Sequence, residues 1–359
     1  MINAVLLFGG KSVEHDISVI TYTQVLNAID LKKYNVKSVY MDHDNQFYLL
    51  KKTDKLNLDK CNLKKCQFHK KNGLVYCNRY LVDVVINCVH GKGVEDGTLS
   101  AYFDLLGVSY TNSNHSSSSV FHNKFYTKLI LNKYNINSVE YEYISRYEWL
   151  NYQKESLRRA NRFSHSVVKP VNLGSSVGVS ECTKENIVDV IDNSFLYDDG
   201  VIVEKKLNKF LELNQAIYKV NDQFVISKIE EVKNNSSIYD FIDKYENEDI
   251  TRVVPARLSN QLRNKITKTT KKIGQIFNSK GVFRVDYLYD LEDQILYVNE
   301  VNVIPGALSY YLFEAKNVYF QTLIDDLVKE AFRERKIEDE LITSFKSNVL
   351  KNKGSNKLK

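Results

Sequence analysis

Val282-Phe-Arg284-Val-Asp286-Tyr-Leu-Tyr289, a turn at Asp290-Leu-Glu-Asp293, then Ile295-Leu-Tyr-Val-Asn-Glu300-Val-Asn302-Val-Ile-Pro305-Gly306 is the stretch on which the fold turns. Both halves are rich in Val, Ile, Tyr and Phe, and the acidic turn between them makes the pair a β-hairpin. A three- or five-residue loop would set Arg284 opposite Glu300 and Asp286 opposite Val298. Side chains alternate across a strand, so Arg284, Asp286, Glu300 and Asn302 share one face. The other face (Phe283, Val285, Tyr287, Tyr297, Val301) is mostly apolar and is expected to pack on a core. Carboxylates on a half-buried sheet need a partner, because an unpaired buried charge is very costly. Arg284 can neutralise one of them. Two acids and an amide oxygen on one face suit a hard cation such as Mg²⁺. A solvated face with a salt bridge fits this stretch equally well.

The rest of the chain bounds the answer. Its 359 residues suggest two or three domains. No run of about 18 apolar residues is present, so no transmembrane helix is expected. The first residues lead directly into a strand without a basic leader, so no signal peptide is expected either. Five cysteines, an odd number with no C-x-x-C spacing, favour reduced thiols in a cytoplasm over disulfides or a zinc site. Fifty basic against 44 acidic residues give a net charge of +6, much of it in the tail from Lys346 to Lys359. No element concentrates basic residues on one face, which argues against a nucleic-acid partner.

Ala4–Phe8 runs into Gly9-Gly10 and then an amphipathic segment to about Ile29, the opening of a doubly wound α/β domain. Val82–Val89 reads as a strand buried on both faces, ending at His90-Gly91-Lys-Gly93-Val-Glu95-Asp96-Gly97. In a parallel sheet both polar loops gather at the carboxyl edge, where such folds bind ligands. The serine run at 116–119 reads as a junction near residue 120, before a helix that Lys124 opens. Gly174-Ser-Ser-Val-Gly178 carries the glycines and hydroxyls of an anion nest, or is simply a turn. Lys169 and Lys124 could reach phosphates held there. Residues 233–252 are long, polar and aromatic, as expected of a lid. Neither a nucleophile elbow nor paired histidines occur, which argues against a hydrolase or a zinc enzyme.

Gly9-Gly10-x-Ser12-x-Glu14-His15-x-x-Ser18, His90-Gly-x-Gly93-x-Glu95-Asp96-Gly97, Lys169-Pro-x-x-x-Gly174-Ser-Ser-x-Gly178, Arg284-Val-Asp286 and Asn299-Glu300-x-Asn302-x-x-Pro305-Gly306 occur in that order. Together they resemble the D-alanine–D-alanine ligases of the ATP-grasp superfamily, over about residues 3 to 335. The resemblance implies a Rossmann-like parallel-sheet substrate domain at 1–120. A two-subdomain ATP-grasp fold would follow, with a central subdomain at 121–211, a C-terminal one at 212–340 carrying the metal site and the loop 233–252, and a basic tail at 341–359. It implies ATP on Lys124, Lys169, Ser176 and Lys244, with Glu204, Lys205 and Leu207 at adenine and Glu212 at ribose. It implies two Mg²⁺ ions on Asp286, Glu300 and Asn302. Glu14, Ser175 and Tyr245 would form a hydrogen-bonded triad, His90, Tyr239 and Gly306 would line the substrate site, and Arg284 would stabilise an oxyanion.

The implied reaction is the ATP-dependent joining of two D-alanines through an acylphosphate, for peptidoglycan precursors, by a cytoplasmic homodimer. A different acceptor (D-serine, D-lactate or another amino acid) and a catalytically silent ATP-binding relative are the alternatives. Val94 stands where the family usually has glycine and Asn123 where it has aspartate. Leu308 and Tyr311 stand where threonine and serine are common, which leaves the acceptor open.

Overall fold

Ile2–Gly9 (β1) buries its last six residues, as a strand covered on both faces must. In the computed structural model, which describes residues 1–51, 58, 62–233 and 251–344, β1 lies inside a six-stranded sheet. Tyr34–Met41 (β2) and Val84–Asn87 (β8) pair with it in parallel, one on each side. Ser109–Tyr110 (β9) extends the parallel side, and Phe47–Leu50 (β3) and Leu63–Lys65 (β4) continue the other side antiparallel. Phe68–Lys71 (β5), Leu74–Cys77 (β6) and Tyr80–Leu81 (β7) form a small antiparallel sheet of their own.

Helices His15–Ala28 (α1) and Thr98–Leu106 (α2) follow the loops after β1 and β8. Both polar loops therefore reach the carboxyl edge of the sheet, as expected.

The serine run is not a loop. Asn114 accepts from the Ser117 N–H at 2.9 Å and caps a helix over His115–His122 (α3). A side-chain cap at the right position starts a helix through serines. Asn123 then caps Lys124–Lys133 (α4) by accepting from the Tyr126 N–H at 2.9 Å. Asparagine caps about as well as aspartate, so this departure from the family pattern is structurally neutral.

Two antiparallel sheets follow. Tyr141–Ser145 (β10), His165–Pro170 (β11), Ser180–Thr183 (β12) and Gly200–Lys205 (β13) order as β10-β13-β11-β12. Helices Arg146–Asn151 (α5), Gln153–Ala160 (α6) and Ile187–Ser194 (α7) accompany them. This sheet closes its own small core around Ile144, Trp149, Ile191 and Val203. Phe210–Val220 (β14), Gln223–Lys233 (β15), Thr251–Val253 (β16), Phe283–Asp290 (β17) and Leu296–Asn302 (β18) order as β16-β15-β14-β17-β18. The helix Asn260–Phe277 packs Ile266, Thr270 and Ile273 against it, and the helix Phe320–Glu340 contributes Leu323, Leu327 and Val328. The first and third sheets share one core, separate from that of the second.

The hairpin forms, with a different register. Arg284 faces Asn302 and Asp286 faces Glu300, while Tyr287 faces Val298. Asn299 is the extra residue of a β-bulge, which shifts the alternation by one. Val298 therefore joins Phe283, Val285, Tyr287 and Val301 in the core, and Tyr297, expected there, is only half-buried. No helix among the described residues is long and apolar enough to cross a membrane.

Candidate active site

One face of the third sheet forms the floor of a cavity of about 560 Å³, a volume in the range of small-molecule sites. Its side chains fall in rows across the strands. Glu230, Asn214, Asp286 and Glu300 are successive register partners from β15 to β18. The row on one side runs Ala216, Arg284, Asn302, and that on the other runs Arg252, Val232, Glu212, Leu288. Arg284 grips Asp286 bidentately, at 2.6 and 2.7 Å. Asn302 Nδ2 also donates to Asp286, at 2.8 Å. Burial opposes the charge on Arg284, yet Asp286 outweighs it and raises the guanidinium pKa well above its ordinary value.

Cations face this floor from the second sheet and α4. Lys124 Nζ lies 3.6 Å from Glu300 and donates to the Leu173 carbonyl. Lys169 donates to Asn299 Oδ1 at 3.0 Å and pairs with Glu204 at 2.6 Å. On the far side of Glu204, Lys128 closes a second ion pair at 2.8 Å. Burial would raise the Glu204 pKa, but the two lysines overcome it and hold the carboxyl at about 2. Lys205 and Leu207 also line the cavity, as does Glu212 from the floor.

The loop after β11 bends sharply, with φ of +52° at Ser175 and +57° at Ser176. Its Ser175 hydroxyl donates to Glu14, across from the first domain. Glu14 is set by Ser12, whose Oγ accepts from the Glu14 N–H at 2.9 Å and donates to the His90 carbonyl at 3.0 Å. Gly91 allows this approach: its φ is +83°, and a Cβ there would meet Ser12 Oγ at 2.4 Å. His90 Nε2 lies 2.8 Å from Thr21 Oγ1, which in turn accepts from the Ala307 N–H at 3.0 Å. The turn after Gly306 holds Ala307, Leu308 and Ser309 at φ of +51°, +51° and +49°. Left-handed backbone without glycine persists only where surrounding contacts enforce it, and it clusters at functional sites.

At the remaining end of the cavity Tyr311 donates to Glu230 at 3.1 Å and accepts from Arg252 at 3.2 Å. Burial, followed by the Glu230 charge, pushes the phenol up to about 12 against the two arginines. Its proton is thus committed to a fully buried carboxylate.

All the expected site residues that fall within the described part of the chain line this one cavity: Glu14, His90, Lys124, Lys169, Ser175, Ser176, Glu204, Lys205, Leu207, Glu212, Arg284, Asp286, Glu300, Asn302 and Gly306. Tyr239, Lys244 and Tyr245, with the rest of 234–250, lie outside the described residues, as does the tail from 345. The sequence reading missed Lys128, Asn214, Glu230, Arg252 and Asn299. Lys128 sits one helical turn beyond Lys124, and Asn299 directly precedes Glu300; both signals were readable. Asn214 and Glu230 owe their places to register alone.

Among the described residues no three His, Cys, Asp or Glu side chains converge as a metal cluster. The set here is two carboxylates and an amide. That fits Mg²⁺, which typically takes one or two carboxylates and completes its shell with water and substrate phosphates.

The family profile described as "D-ala D-ala ligase N-terminus" matches residues 3–113, and that described as "D-ala D-ala ligase C-terminus" matches 130–329. A D-alanine–D-alanine ligase of Thermosipho melanesiensis is 33% identical, covering 98% of this chain and 99% of its own. One from Thermosipho africanus is 36% identical over 97% and 98%. Among solved structures, the VanG D-Ala:D-Ser ligase of Enterococcus faecalis superposes with a TM-score of 0.81 at 24% identity, covering 92% of this chain and 99% of its own. The D-alanine-D-alanine ligase of Coxiella burnetii gives 0.80 at 24% identity, over 94% and 96%. At that identity these two speak for the ATP-grasp fold alone.

Proposed function

The chain belongs to the D-alanine–D-alanine ligase family, and from this premise we propose that it joins two D-alanines at the expense of ATP, giving D-alanyl-D-alanine, ADP and phosphate. The observation that carries the reading is the meeting of three charge systems in one cavity. Lys124 and Lys169 face the Asp286–Glu300 row, Arg284 stands beside it, and the Glu14–Ser175 contact closes over it.

In this reading ATP lies with adenine and ribose along Glu204, Lys205, Leu207 and Glu212. Its phosphates lie beneath Ser176, Lys124 and Lys169. The carboxylate of the first D-alanine, held near Glu14 and His90, attacks the γ-phosphorus and releases ADP. The amine of the second attacks the acyl carbon, loses a proton and expels phosphate through a tetrahedral intermediate. Phosphoryl transfer needs chiefly positioning and charge neutralisation, which lysines and backbone donors can supply. Arg284, kept charged by Asp286, is the group proposed to face the oxyanion. Mg²⁺ held by Asp286, Glu300 and Asn302 would neutralise charge on the transferring phosphoryl group. Water must be kept from the acylphosphate, and a site at the meeting of three sheets supports that.

The division at 1–120, 121–211 and 212–340 is part of the proposal; each segment contains most of one main sheet. So are a cytoplasmic homodimer and a role in peptidoglycan precursor synthesis, which rest on family membership. Phosphate release from ATP with and without D-alanine tests the reading: release that requires D-alanine supports it, and D-alanine-independent release or none overturns it.

A further inference from the structure

Among the described residues Lys128 is the most deeply buried ammonium beside the cavity, and it does not line it. Its side chain is 2% exposed, its Nζ lies 2.8 Å from Glu204 Oε1, and it donates to the Val139 carbonyl at 3.4 Å. The Tyr141 ring lies 5.2 Å away on β10. Burial lowers its pKa, with the Glu204 charge opposing. Glu204 in turn binds Lys169 at 2.6 Å through its other oxygen, and that lysine does reach the cavity.

Two ammonium groups thus share one buried carboxylate, leaving these three side chains with a single net positive charge. Were Lys169 the only partner, turning it toward a phosphate would strand Glu204, buried and unpaired, which is strongly unfavourable. With Lys128 behind it, Glu204 stays paired whichever way Lys169 points. We propose that Lys128 is a positioning residue whose fixed charge frees Lys169 to bind nucleotide phosphate and keeps Glu204 ionised and in place. This rests on the reading of the cavity as a nucleotide site.

The test uses the full chain, with Mg·ADP affinity measured by calorimetry and KM measured separately for ATP and D-alanine. Lys128→Met should weaken ADP binding by roughly tenfold or more and raise KM for ATP while leaving KM for D-alanine near wild type. The double variant Lys128→Met/Glu204→Gln should bind ADP as Glu204→Gln alone does, because no carboxylate remains to be stranded. A merely structural lysine would instead weaken both backgrounds equally and shift both KM values. Should Lys128→Met fail to fold, the two Glu204→Gln proteins still decide: equal affinities support the proposal and a weaker double variant overturns it. Wild-type affinity in Lys128→Met also overturns it. A wild-type protein that binds no Mg·ADP overturns the nucleotide reading together with this inference.

Discussion

Across the ladder between β17 and β18, the carboxylates of Asp286 and Glu300 stand directly opposite one another. Like charges in that position destabilise a sheet, and here Arg284 and Lys124 offset them from either side. The proposed Mg²⁺ site rests on this pair of opposed carboxylates. Glu300→Gln should therefore leave the melting temperature within a few degrees of wild type and cut turnover by roughly a hundredfold or more. Near-normal turnover at ordinary Mg²⁺ would refute the metal role.

Arg284 gives a contrasting expectation. Its guanidinium makes two bonds to Asp286, which is 6% exposed. Arg284→Met removes the charge paired with that buried carboxylate and should cost about 3–5 kcal/mol of stability. Urea unfolding reads this directly, and an unchanged midpoint would mean that another group neutralises Asp286.

How far the sequence revealed this site depended on the kind of information required. Glycines marked the polar loops after the strands and the Gly174–Gly178 turn in the sequence itself, whereas Glu14 and His90 were named only through the family resemblance. The hairpin was legible from its composition. Its register was not, because the bulge at Asn299 leaves no mark on an alternating pattern until the strands are paired. That bulge lets Asn299 and Glu300, adjacent in sequence, both reach the cavity. Glu230 and Asn214 belong to no motif; only the pairing of β15, β14 and β17 brings them into the Asp286 row.

Acid should expose the Glu204 cluster. Its carboxyl is held at about 2 against an ordinary 4.5, after burial has been overcome by Lys128 and Lys169. A depressed carboxyl contributes stability that is complete above the unfolded value and lost as pH falls toward the folded one. A shift of this size corresponds to roughly 3 kcal/mol. Glu204→Gln should flatten the fall in stability between pH 4.5 and 2 relative to wild type. Parallel curves for the two proteins would show that the pair of lysines does not hold the carboxyl down.

Tyr311 tests the proposal that its end of the cavity takes the acceptor. Tyr311→Phe keeps the ring and removes the donor to Glu230, which should cost about 1–3 kcal/mol for the buried carboxylate it leaves short of a partner. Because Arg252 also donates to that phenol, KM for the acceptor should rise while KM for ATP holds. Equal changes in both constants would show that the wall supports the cavity as a whole.

The most direct measurement supplies the purified chain with ATP, Mg²⁺ and D-alanine as the sole amino acid, and follows phosphate release together with product by mass spectrometry. The account predicts one D-alanyl-D-alanine for each phosphate released, with neither formed when D-alanine is omitted. Phosphate release without dipeptide, or dipeptide without ATP consumption, would contradict it.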